Sequence, residues 1–241
     1  FGSSFYEGLK ILHQLFLLKV LEQSSYGLMG SIFSIIYLTI YLTDMGLTYT
    51  LPTFFNVFTE NKFNFKNIFI KKYFTPQIFI ILTSSLFVTY IYSQSFLNNI
   101  YSPYLYTIPL IIFFESIRIF FRRFLHTAFK SKEVVISETI LTPLYILTVW
   151  SPYLFLKYPM TLNLIFIPHL LDSIVGTIVL ITITRNLYKK LPTNKTVPPE
   201  NLWHRIFKAR LFNYSINISK QFFTGNFLTP FFASQFGLKD A

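Results

Sequence analysis

Residues 74–92 read Phe-Thr-Pro-Gln-Ile-Phe-Ile-Ile-Leu-Thr-Ser-Ser-Leu-Phe-Val-Thr-Tyr-Ile-Tyr, a run from Phe74 to Tyr92 without one charged side chain. A helix needs about 20 predominantly apolar residues to cross the hydrocarbon core of a bilayer. This stretch meets that length, and its lack of charge is hard to place on the surface of a soluble domain. Working outward, the same kind of run recurs. Six further candidate spans lie at Phe5–Leu21, Tyr26–Leu51, Tyr104–Phe124, Val134–Leu156, Leu162–Thr184 and Ile206–Phe236. The whole 241-residue chain is 52% hydrophobic and 20% aromatic but only 13% charged, about half the share usual in soluble domains. Disorder is excluded by that composition. The lack of cysteine excludes a disulfide framework and a cysteine-based zinc site.

The charged residues sit between the runs, and they alternate. Lys62, Lys66, Lys71 and Lys72 lie between the second and third spans, and Arg122, Arg123, Lys130 and Lys132 at the junction of the fourth and fifth. Arg185, Lys189, Lys190, Lys195, Arg205, Lys208 and Arg210 lie between the sixth and seventh. The opposite connections hold only Lys19, Lys157 and Lys239, a split of fifteen to three. Cytoplasmic loops carry the Lys/Arg excess, so the N-terminus is expected on the cytoplasmic side. The net charge of +11 is then mostly topology signal and contact with anionic lipid headgroups. The aromatics lie inside apolar runs and not beside the charges, so nucleic acid is not an expected partner.

The expected fold is an all-α polytopic membrane protein. It has a six-helix transmembrane bundle over residues 1–185, a basic, proline-containing cytoplasmic linker over 186–205, and the first helix of a second bundle over 206–241. A chain that begins at Phe1 and ends just after a hydrophobic segment reads as a fragment.

Several spans carry polar residues at helical spacing, which puts them on one face. The second has Tyr37, Tyr41, Asp44 and Thr48. The fourth has Glu115, Arg118, Arg122 and His126. The seventh has Asn213, Asn217, Lys220 and Thr224. The first has Glu7, Lys10 and Gln14, the fifth Glu138, Thr142 and Tyr145, and the sixth His169, Asp172 and Gly176. Polar faces on membrane helices need a shared interior. A central hydrophilic cavity lined by spans one, two, four and seven, with Asp172 nearby, is the expected arrangement, and it points to a transporter of a polar or charged substrate. Plainer roles stand beside this one. Glu115 and Arg118 can neutralise each other, Arg122, Arg123 and His126 can mark a helix end, Asp44 can cap one, Asp172 and His169 can be a structural pair, and His13 can be a plain buried polar group. Pro109, Pro143, Pro152 and Pro168 are candidate kinks. There is no Gly-rich phosphate loop, metal-ligand cluster or nucleophile elbow, so no enzyme activity, cofactor or metal is expected, and transport would be driven by an ion or substrate gradient.

The stretch 21–55 begins Leu-Glu-Gln-Ser-Ser-Tyr-Gly-Leu and, after an apolar span, continues Thr-Asp-Met-Gly-Leu-Thr-Tyr-Thr-Leu. Its Tyr-Gly before the second span, its Asp44, Gly46 and Leu47 after it, and the Phe-Gly-Leu-Lys-Asp-Ala of residues 236–241 resemble the polysaccharide and O-antigen flippases of the multidrug/oligosaccharidyl-lipid/polysaccharide exporter superfamily. The resemblance implies two six-helix halves, alternating access, and export of a lipid-linked oligosaccharide across the plasma (inner) membrane, with membrane lipids and polysaccharide-assembly proteins as partners. A multidrug or peptidoglycan-precursor exporter of the same superfamily is the alternative, with a polytopic polymerase or ligase of polysaccharide assembly behind it. The cargo's diphosphate would be held by Arg118, with Arg122, Lys10 and Lys220 contributing and Glu115 orienting Arg118. Tyr37 and Tyr41 would stack on sugar faces. Asp44 and Asp172 would exchange the coupling proton.

Overall fold

The computed structural model describes residues 2–60, 69–94, 104, 106–128, 130–189 and 200–222. Every regular element among them is helical. In chain order these are α1 Gly2–Val20, α2 Gln23–Thr43, α3 Leu47–Glu60, a turn of π-helix at Phe69–Phe74 running into α4 Thr75–Gln94, α5 Thr107–Thr127, α6 Ser131–Leu156, α7 Asn163–Tyr188 and α8 Glu200–Phe222. Four helical stretches are long and apolar enough to cross a membrane: Gln23–Thr43, Ile70–Ile91, Ser131–Leu156 and Asn163–Tyr188. Helices α1, α5 and α8, which coincide with the first, fourth and seventh expected spans, fall outside that set.

The outward surface supports a lipid setting. α6 exposes Ile136, Ile140, Leu144 and Leu147 along one face, and buries Val134, Ser137, Glu138, Leu141 and Thr142 on the other. α4 likewise exposes Phe79, Leu82, Leu86 and Phe87. Large apolar side chains outside with hydroxyls and a carboxylate inside would be unstable in water but suit hydrocarbon.

Two apolar clusters hold the bundle. One joins Leu17 of α1 and Leu21 just after it, Ile32, Ile35, Ile36 and Ile40 of α2, Ile108, Ile111 and Ile112 of α5, Val149 of α6, and Ile165 and Phe166 of α7. The other joins Leu47, Leu51, Phe54 and Phe55 of α3, Tyr73, Ile81 of α4, Ile117, Phe120, Phe121, Phe124 and Leu125 of α5, Val134 of α6, Leu180 of α7, and Leu202 and Ile206 of α8. α5 threads both and is the hub of the bundle. Where its contributions to the two clusters meet sit buried Glu115, Ser116 and Arg118.

The run expected as one span over Tyr26–Leu51 is two helices. α2 stops at Thr43, and Met45 (φ 48°) and Gly46 (φ 71°) take left-handed backbone before α3 begins at Leu47. Gly46 tolerates that conformation at no steric cost. It also lies against α8: a Cβ there would sit 2.3 Å from the Arg210 carbonyl oxygen. The expected linker is shorter at both ends, since α7 continues to Tyr188 and α8 starts at Glu200; residues 190–199 lie outside the described residues. α8 begins earlier than the expected Ile206, and the part of that span beyond Phe222 also lies outside the described residues.

Prolines 52, 143, 152 and 168 are inside helices. Pro109 falls in the first turn of α5, where a missing N–H costs little. Pro76 offers no N–H to the carbonyl of Lys72, which accounts for the wide π-turn just before it.

Candidate functional site

A cavity of about 530 Å³ opens into the bundle. α1 contributes Lys10, His13 and Gln14, α2 contributes Tyr37 and Tyr41, and Asp44 follows at its end. α5 contributes Glu115, Arg118, Arg122 and Arg123, α6 Glu138, Thr142 and Tyr145, and α7 His169 and Asp172. Every expected site residue with a described side chain therefore lines one space. Lys220 lies in α8, but its side chain is outside the described set, as are those of Thr48 and Asn217. The lining corrects the expected one in one respect. Spans five and six form the wall, and α8 supplies none of the lining residues among those described.

α8 is held elsewhere. The Arg210 Nε donates to the Met45 carbonyl at 3.2 Å and its Nη2 to Gln77 Oε1 at 3.4 Å. Gln77 Nε2 in turn donates to the Thr43 carbonyl. The break after α2 is thus a docking point for α8. Asp44, next to it, interacts electrostatically with Arg210.

The floor of the cavity is an ionic layer. The Arg118 guanidinium, 4% exposed as a residue, donates Nη1 to Asp172 Oδ2 at 2.7 Å and Nη2 to Glu138 Oε2 at 2.8 Å. Its Nε reaches Glu138 Oε1 at 3.3 Å, and Nη1 is 3.4 Å from Glu115 Oε2. Glu138 therefore receives a two-pronged contact, the strong geometry for this pair. It also accepts Arg122 Nη2 at 2.6 Å. Ser173 Oγ donates to Glu115 Oε2 at 3.1 Å.

Close packing of α5 on α7 makes this arrangement possible. Thr177 Oγ1 donates to the Phe114 carbonyl at 2.8 Å. Gly176 leaves room for the guanidinium, since a Cβ there would lie 2.7 Å from Arg118 Nε. Small residues let membrane helices approach in this way.

Sequence reasoning placed Glu115 as the partner of Arg118. The tighter contacts are to Glu138 and Asp172, from two other helices. Glu138 was visible in the stripe of its own helix, yet nothing in that stripe says which arginines it faces. Lys10, on α1, lines the cavity outside this layer, with Glu7 at 3.6 Å and both side chains exposed.

Among the described residues, six buried side-chain polar atoms have no partner within the protein, and four of them belong to the lining: His13 Nε2, Arg122 Nε, His169 Nε2 and Asp172 Oδ1. Buried polar groups are nearly always bonded, so this concentration marks a surface built to meet something polar. No group of three or more acidic or histidine side chains among the described residues is arranged to hold a metal ion.

No protein-family model, curated protein or solved structure matches this chain. Fold and site by themselves define the class: a membrane protein, all-helical over the described residues, with four helices of spanning length and a charged, partly unsatisfied cavity lined by α1, α2, α5, α6 and α7.

Proposed function

We propose that this protein is a transporter that moves a lipid-linked oligosaccharide from the cytoplasmic to the outer leaflet of the inner membrane by alternating access. The observation that carries it is the cavity: eight expected site residues from four helices and the turn after α2 line one space, and that space holds four of the six unpartnered buried polar atoms. On this reading α1, α2 with α3, α4, α5, α6 and α7 make six crossings with a cytoplasmic N-terminus, and α8 opens a second bundle.

The geometry redistributes the roles of the basic residues. Arg118 is neutralised by three carboxylates and is a positioning group that ties α5, α6 and α7 together. Contact with an anionic diphosphate passes to Arg122, whose Nε is unpartnered and whose side chain is 27% exposed, and to Lys10 of the same cavity lining. Asp172, with one oxygen bonded to Arg118 and the other unpartnered, is the better placed of the two proposed coupling acids. Asp44 would act together with the turn that docks α8.

The test is translocation in proteoliposomes containing the protein, with a fluorescent polyprenyl-diphosphate sugar read out by an impermeant quencher. Glycolipid movement that Arg122→Gln reduces at least tenfold, in protein of unchanged thermal stability, is the expected result. Movement no faster than in empty liposomes would sink the proposal, and transport of a cationic drug in its place would favour the multidrug alternative.

A further inference from the structure

The cavity holds a second group of side chains that the ionic layer does not use. Trp150 Nε1 donates to His13 Nδ1 at 2.9 Å. An imidazole nitrogen that accepts carries no proton, so the His13 ring proton is on Nε2. That N–H is buried in a residue only 6% exposed, has no partner within the protein, and belongs to the cavity lining. His169 Nε2 is likewise buried and unpartnered. The Tyr145 ring stands between the two imidazoles, 5.3 Å from His13 and 5.7 Å from His169 in edge-on contacts. Phe33 packs 5.1 Å from His169 and stacks 6.2 Å from Tyr37.

We propose that His13, Tyr145, His169 and Phe33 form a subsite for an uncharged polyhydroxylated ring, that is, one sugar of the cargo, separate from the arginine layer. It rests on the transport reading above. Aromatic faces suit the C–H faces of such a ring. A hydroxyl both donates and accepts, so it can take the fixed N–H of His13 and either tautomer of His169. An anion would find its hydrogen-bonding cations in the adjoining arginine layer, since none of these four side chains carries a fixed positive charge. A purely apolar ligand would leave the His13 N–H unsatisfied, which costs more than the contact returns. Trp150 does not line the cavity. It is a positioning residue that fixes the tautomer of His13.

The experiment is calorimetric titration of the protein in lipid nanodiscs with three probes: a polyprenyl diphosphate, the same lipid bearing one N-acetylglucosamine, and dodecyl glucoside, which has no phosphate. The glycosylated lipid should bind roughly tenfold more tightly than the bare diphosphate, the worth of a hydrogen bond plus ring contact. His13→Phe should erase that ratio and leave binding of the bare diphosphate unchanged, which also serves as the folding control. Trp150→Phe, the second variant, should shrink the ratio by a smaller factor. Equal affinity for the two diphosphates, or a ratio that survives either substitution, overturns the subsite while leaving the transport reading intact. Binding of dodecyl glucoside that needs His13, with no binding of either diphosphate, supports the subsite and overturns the diphosphate cargo. Failure of all three to bind overturns both.

Discussion

Two arginines tie helices together in this bundle, Arg118 buried and Arg210 half-buried, and they are accommodated by different physics. Arg118 lies among Glu115, Glu138 and Asp172, charge against charge, on helices α5, α6 and α7. Arg210 lies against a carbonyl and an amide at the break between α2 and α3, with Asp44 near. The first arrangement cannot be taken apart cheaply, because each carboxylate left behind is a buried charge. The second is built largely on neutral hydrogen bonds, each worth about 0.5–1.5 kcal/mol net. The comparison teaches that charge pairing ties α5, α6 and α7 into one wall, whereas the polar anchoring of α8 consists of individually weak bonds that add to the burial of its Leu202 and Ile206.

Substitutions can break or sharpen this contrast. The largest expected effect is Arg118→Gln, which strands three acids and should cost about 3–5 kcal/mol of stability, read as the denaturation midpoint in detergent. If that variant proves as stable as the unaltered protein, the acids are not held by Arg118 and the wall is not ionic. Gly46→Ala comes next. Its Cβ would meet the Arg210 carbonyl oxygen at 2.3 Å, a backbone atom, at a φ of 71°, for an expected cost of about 2–3 kcal/mol. Gly176→Ala meets the movable Arg118 side chain at 2.7 Å instead and should cost about 1–2 kcal/mol, read as the same denaturation midpoint. Arg210→Gln should cost about 1 kcal/mol and speed hydrogen exchange in α8 while leaving α5–α7 protected. The smallest effect belongs to Gly30→Ala on α2, where a Cβ meets nothing within 4 Å; its helix propensity gain of up to about 1 kcal/mol makes it neutral or slightly stabilising. A Gly30→Ala loss as large as that of Gly176→Ala would show that the cavity wall at α2 is tighter than the geometry allows.

Much of the site was legible along the chain. Polar residues at three- and four-residue spacing must share a helix face, and membrane helices must turn such faces inward, so Lys10, Tyr37, Tyr41, Glu115, Arg118, Arg122 and Asp172 could be gathered before any coordinates. Glu138 as the double acceptor was not legible. Its contacts depend on the rotation of α6 about its own axis and its depth against α5, and local sequence encodes neither. The break after α2 was half legible. Asp44 and Gly46 stood out, but the apolar run resumes at Leu47, and hydropathy alone reads straight through a turn. His13 looked like an inert buried group because its partner, Trp150, lies 137 residues away.

Composition and periodicity, properties of single segments, determined that the chain is helical, that it belongs in a membrane, and which face of each helix is polar. Local hydrophobicity and the 3.6-residue repeat suffice for that. Only the tertiary structure decided which faces meet: Arg118 against three acids, α8 on the α2–α3 turn with none of its described side chains in the cavity lining, and a lining imidazole whose N–H has no partner within the protein. Those outcomes depend on angstrom-scale distances between segments far apart in the chain. They are set by how small residues such as Gly46 and Gly176 let backbones approach, and no single segment contains that information.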